Sequence, residues 1–61
     1  MNTQRKAANV IERLQDMITA SEQYLDSNIV EVQAAEMMRQ DCQTFKTAIE
    51  LLRDAYKVTK H

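Results

Sequence analysis

The second half of the chain carries an apolar stripe whose intervals alternate between three and four residues. An average interval of 3.5 residues keeps the apolar side chains of a helix facing one neighbouring helix along its whole length. The pattern therefore predicts an amphipathic helix that packs against a partner helix. The stripe consists of Ala35, Met38, Cys42, Phe45, Ile49, Leu52 and Tyr56.

The first half has a stripe of the same kind, made of Ala7, Ile11, Leu14, Ile18, Ser21 and Leu25. A second row at intervals of seven, Val10, Met17 and Tyr24, widens it, as Met37, Leu51 and Val58 widen the stripe of the second half. Three apolar positions in seven are typical of a helix in a bundle rather than of a two-stranded coiled coil.

The two stripes do not share one register. The first stripe, continued, requires apolar residues at Asn28 and Val32, whereas the second requires them at Glu31 and Ala35. The register therefore breaks after Leu25, and the break predicts a turn between two helices. One unbroken helix with a local shift of its heptad register is the alternative.

The turn-forming cluster Asp26-Ser27-Asn28 lies at this break. Asn28 is followed three residues later by Glu31, as in a capping box at the start of a helix. We therefore predict a first helix over about 3–25, a turn at 26–28 and a second helix over about 29–60.

The composition agrees with an all-α fold. The 61 residues include no glycine and no proline, which tight turns and bulges usually require. A chain this short buries only about 60% of the surface that its unfolded form exposes. One cysteine cannot form an internal disulfide, so association remains as the means of stabilisation.

We accordingly predict a single domain over 1–61, a two-helix antiparallel hairpin that dimerises into a four-helix bundle. A lone hairpin would leave part of both wide stripes in water, and a second copy would cover them. The residues expected in the core or dimer contact are Ile11, Leu14, Ile18, Leu25, Met38, Cys42, Phe45, Ile49, Leu52 and Tyr56.

A basic residue occurs at every seventh position of the second helix, and we call this row of Arg39, Lys46, Arg53 and Lys60 the basic ridge. In one interpretation the ridge flanks the seam and pairs with acids such as Glu36, Glu50 or those of a neighbouring helix. In the other it contacts a partner or follows the phosphates of a nucleic acid. The single nearby aromatic and the sparse charge favour the first interpretation.

Catalytic and metal-binding patterns are missing from the sequence. Cys42 has Asp41 rather than a cation beside it, and His61 is the only histidine. We therefore predict no enzyme activity, no cofactor and no metal, and we assign Cys42 to the core.

Eight lysines and arginines stand against nine aspartates and glutamates, so no strong overall charge attracts nucleic acid or an anionic membrane. We find neither a membrane span nor a signal sequence, and we expect a cytoplasmic protein.

In length, two-helix organisation and seam spacing the chain resembles the Rop family of plasmid copy-number regulators, which implies a dimeric four-helix bundle that binds paired RNA loops. The stretch Phe45-Lys46-Thr47-Ala48-Ile49-Glu50-Leu51-Leu52 is similar to the co-chaperones of type III secretion needle subunits. Chains of this size without glycine and proline also resemble accessory proteins of temperate phages and plasmids. No functional residues are carried over from these families.

These patterns predict a non-enzymatic helical interaction protein, a regulatory or adaptor homodimer of phage, plasmid or bacterial accessory type that binds another protein. A Rop-like RNA-binding regulator using the basic ridge is one alternative. A secretion co-chaperone that holds a partner's amphipathic helix, in a groove lined by Met37, Leu51 and Val58, is the other.

Overall fold

Two helices of equal length form an antiparallel hairpin. A computed structural model describes residues 2–58, in which α1 spans Thr3–Ser27 and α2 spans Val32–Tyr56, 25 residues each. The hairpin measures 43 × 18 × 16 Å along its principal axes. The predicted all-α hairpin is therefore confirmed, and a single unbroken helix is wrong.

α1 begins where the sequence predicts. Asn2 has an extended backbone, and its Oδ1 atom accepts a hydrogen bond from the backbone N–H of Arg5 at 3.3 Å. The Asn2 carbonyl accepts a second bond from the N–H of Lys6. Asn2 thus satisfies amide groups that have no partner within the first turn of a helix.

The turn lies further along the chain than predicted. α1 continues through Ser27, and Asn28 ends it: the Asn28 Nδ2 atom donates to the carbonyl oxygen of Tyr24 at 2.9 Å. The prediction that Asn28 caps the second helix is therefore wrong, because its side chain satisfies a free carbonyl at the end of the first helix instead.

α2 begins at Val32, and Glu31 is its cap. The two carboxylate oxygens of Glu31 accept hydrogen bonds from the N–H groups of Gln33 and Ala34, at 3.4 and 3.3 Å. A carboxylate at this position also interacts favourably with the positive end of the helix dipole. The residues between Asn28 and Glu31 therefore lie outside both helices.

α2 ends at Tyr56, before the predicted boundary near residue 60. Lys57 adopts a left-handed conformation (φ 56°, ψ 38°), and the N–H groups of Lys57 and Val58 both donate to the Arg53 carbonyl. This arrangement closes the last turn and directs the chain off the helix axis. The predicted helical residue Lys60 lies outside the described residues.

The core is a narrow layer between the helices. Ile11 and Ile18 of α1 pack with Cys42 and Ile49 of α2. Partly buried Leu14, Phe45, Leu52 and Val58 pack against this cluster. Buried alanines, Ala7 in α1 and Ala35 in α2, lie along the same stripes near the ends of the hairpin.

Candidate interaction surfaces

An ion pair between the helices marks one long edge of the hairpin. The Lys46 Nζ atom donates to the Glu22 Oε2 atom at 3.4 Å, and both side chains are about half exposed. With Ile11 and Ile49 at heptad position a, both Glu22 and Lys46 occupy position e. In an antiparallel pair the e positions of both helices flank one edge of the seam, and the g positions flank the other.

We call the edge with the e positions the charged side. It holds two open grooves with polar and charged rims. One groove is lined by Gln15, Asp16, Ile18, Thr19, Lys46, Ile49, Glu50 and Arg53. The other is lined by Glu22, Leu25, Asp26, Arg39, Cys42, Gln43 and Lys46.

The basic ridge lies on this charged side, within reach of acidic residues. Arg53 shares its groove with Asp16 and Glu50. The other groove brings Arg39 together with Asp26. The described cations of the ridge therefore share their grooves with carboxylates, and Lys46 pairs with Glu22 at 3.4 Å. The fourth ridge residue of the prediction, Lys60, lies outside the described part of the chain.

The seven-residue spacing identified the ridge, but it did not identify Glu22 as its partner. That pairing depends on which residues of α1 lie level with α2 once the turn is formed. The signal available in the sequence is that Glu22 and Lys46 hold equivalent positions next to the apolar stripes of their helices.

Of the three ridge residues that the structure describes, Arg53 is the most enclosed. Its side chain is partly buried, and its Nε atom is buried without a hydrogen-bond partner among residues 2–58. Its backbone carbonyl accepts the two bonds that end α2. Arg53 thus contributes to the groove wall as well as to the charge of the ridge.

The opposite edge, which we call the apolar side, exposes large apolar side chains from both helices. They are Val10 (48% exposed), Met17 (41%) and Tyr24 (51%) of α1, and Met37 (65%) and Leu51 (64%) of α2. The three α1 residues occupy position g and the two α2 residues occupy position c. Both positions follow d around the circumference of a helix, so the five residues border the same edge of the seam.

Burial differs along the predicted seam. Ile11, Ile18, Cys42 and Ile49 are buried, with 4–7% of their surface exposed. The remaining predicted residues are less enclosed in the single hairpin. Leu14, Leu25, Met38, Phe45 and Leu52 are half-buried, and Tyr56 is 39% exposed.

Two further observations concern chemistry and membranes. Cys42 is a free thiol buried in the core cluster. Within residues 2–58, no three His, Cys, Asp or Glu side chains are grouped to bind a metal ion. Neither α1 nor α2 combines the length and the apolar character that a membrane-spanning helix needs.

In comparisons with known proteins, no family model matches the chain, and no curated protein or solved structure matches it either.

Proposed function

We propose that the chain is a non-enzymatic helical interaction protein, a cytoplasmic regulatory or adaptor homodimer that acts by binding another protein. The observation that carries the proposal is the difference between the two long sides of one hairpin. The apolar side exposes large apolar side chains, as an unoccupied protein interface does, and the charged side holds grooves with polar rims. A molecule with two such sides can assemble through one and recognise a partner through the other.

The charges of the grooves favour a protein partner over a nucleic acid. Binding to phosphates depends on cations that are free to replace counterions, and each such contact adds to the salt dependence. Here Lys46 is paired with Glu22, and Arg53 lies beside Asp16 and Glu50. Alternating charges suit a protein surface of complementary pattern, where they contribute to specificity and orientation.

Exchanging the two charges of the ion pair tests this proposal. In Glu22→Lys/Lys46→Glu the pair can reform with its polarity reversed, so net charge and folding should be preserved. A protein partner that reads the position of each charge should be lost, with capture from cells of the source organism reduced at least about tenfold. The measurement is affinity capture with a tagged chain, followed by identification of protein and nucleic acid.

The matched control is the exchange Glu12→Lys/Arg13→Glu, which also preserves net charge but changes residues that line neither groove. Capture by this control should equal that of the wild type and should resist nuclease treatment. The Rop-like alternative also predicts weaker capture after the exchange, because Lys46 belongs to the basic ridge, so nuclease and salt separate the two hypotheses. Wild-type capture that nuclease abolishes, with RNA affinity falling steeply with salt, would contradict a protein-binding role.

A further inference from the structure

We infer that the apolar side is the contact surface for a second copy of this chain, and that the charged side faces outward in the resulting dimer. The inference rests on the proposed function, because it specifies how the interaction protein assembles. It adds the surface, its residues and the side that remains free.

The first argument is the burial of the two sets of seam residues. Residues at position a, such as Ile11 and Ile49, are almost completely covered by the partner helix within the hairpin. Residues at position d, such as Leu14, Phe45 and Leu52, pack against the core cluster but are only half-buried. On a helical wheel, position d lies next to g, on the apolar side. Away from the ends of the hairpin, the seam is therefore less completely covered at its d positions, which border the apolar side.

The second argument is area. The exposed parts of the five apolar side chains, together with the open flanks of the half-buried d residues, amount to roughly 600 Å² per chain, or about 1,200 Å² for a symmetric pair. That value reaches the lower range of stable protein interfaces. It is also at the upper end of the apolar patches that monomeric proteins expose.

The third argument is the width of the surface, which decides between a second hairpin and a single foreign helix. Met17 and Tyr24 form an exposed row on α1. Met37 and Leu51 form a second exposed row on α2, on the edge that is farther from α1. A helix with its side chains is about 10–12 Å across, so one helix placed over the seam leaves the outer row uncovered. A layer of two helices covers both rows.

The fourth argument is self-complementarity. α1 and α2 have 25 residues each, so two apolar sides can overlap along their whole length. At the d and g positions of both helices, the one charged residue is Asp41, which is exposed, and the c positions of α1 add the exposed cations Lys6 and Arg13. The surface is otherwise apolar or uncharged, and another copy supplies a surface of the same length and width.

The test adds two negative charges to α2, either on the apolar side or on the face directed away from α1. Met37→Glu/Leu51→Glu alters the apolar side at residues that are about two-thirds exposed in the hairpin, so the hairpin itself should tolerate them. Gln40→Glu/Thr47→Glu adds the same charge at exposed f positions of the same helix. Sedimentation equilibrium over about 1–100 µM should give twice the 7.1 kDa chain mass for the wild type and for the control. The apolar-side variant should raise the dimer dissociation constant at least about 100-fold.

A second measurement does not depend on the glutamate variants. A photo-crosslinking amino acid in place of Tyr24, on the apolar side, should produce covalent dimers, and the same group in place of Gln40 should not. A wild-type chain that stays monomeric and helical throughout this concentration range would overturn the inference. So would a dimer that Met37→Glu/Leu51→Glu leaves intact, or crosslinking from position 40 but not from position 24. A helical monomer that binds a hydrophobic dye would instead favour the co-chaperone alternative.

The outcome can be separated from that for the proposed function. The exchange of Glu22 and Lys46 alters only the charged side, so it should leave the dimer intact while abolishing partner capture. A wild-type chain that is monomeric but still captures a protein partner would overturn the dimer contact alone. A wild-type dimer whose protein capture does not respond to the charge exchange would overturn the proposed partner binding alone.

Discussion

At the scale of single residues, Lys57 takes a backbone conformation that glycine favours. Its φ of 56° places it in the left-handed region, where a side chain with Cβ costs about 1 kcal/mol relative to glycine. The Schellman-type bonds to the Arg53 carbonyl hold it there, and Val58 packs against the core. The closure of the last turn thus stabilises the end of the hairpin despite a strained residue.

Lys57→Gly should therefore stabilise the hairpin relative to Lys57→Ala by about 0.5–1 kcal/mol. Alanine is the appropriate reference because both variants lack the lysine charge, which itself interacts favourably with the end of a helix. Urea unfolding at one fixed chain concentration measures the difference. Equal stability of the two variants would show that Lys57 leaves the left-handed conformation in solution.

At the scale of the helices, the caps decide where each element begins. The Glu31 carboxylate accepts from two amides of the first turn of α2. Glu31→Ala removes both bonds and should lower the free energy of unfolding by about 0.5–2 kcal/mol. Glu31→Asp, which retains a carboxylate and is a preferred cap, should recover most of this loss. Thermal unfolding followed by circular dichroism measures both, and a Glu31→Ala variant as stable as wild type would contradict this role.

The spacing of apolar residues was sufficient to predict both helices and the hairpin, because burial of a stripe depends on periodicity alone. It was not sufficient for the turn. Asn28 and Glu31 are both capable caps, and the sequence pattern alone does not say which helix end each of them satisfies: Asn28 donates to Tyr24 at the end of α1, and Glu31 accepts from the amides that follow it at the start of α2.

The candidate surfaces were also predicted only in part from the sequence. The basic ridge follows from a seven-residue interval within one helix, so the sequence was enough to find it. The pairing of its Lys46 with Glu22, and the position of the ridge opposite the apolar side, depend on how the two helices pack. That pairing is a property of the folded hairpin, and no interval within one helix encodes it.

At the scale of the whole molecule, the hairpin has a core only one layer thick. Among residues 2–58 no side chain is completely enclosed, and the most buried residues are alanine, isoleucine and cysteine. A 61-residue chain with so small a core gains little stability from burial within one copy. Its stability should therefore depend on the concentration of the chain, since association buries what the hairpin leaves open.

Phe45→Ala is a direct test of this dependence, because the ring packs on the core cluster with one flank and borders the apolar side with the other. Complete burial of the ring would make its loss cost about 3–5 kcal/mol, whereas burial in the hairpin alone would make it cost less. The drop in melting temperature should thus be larger at about 200 µM than at about 2 µM chain, as the dimer becomes populated. Ile18→Val, at a residue buried within the hairpin, should lower the melting temperature by the same amount at both concentrations. If Phe45→Ala behaves like Ile18→Val, the ring contributes only to the fold of one copy, and the dimer contact lies elsewhere.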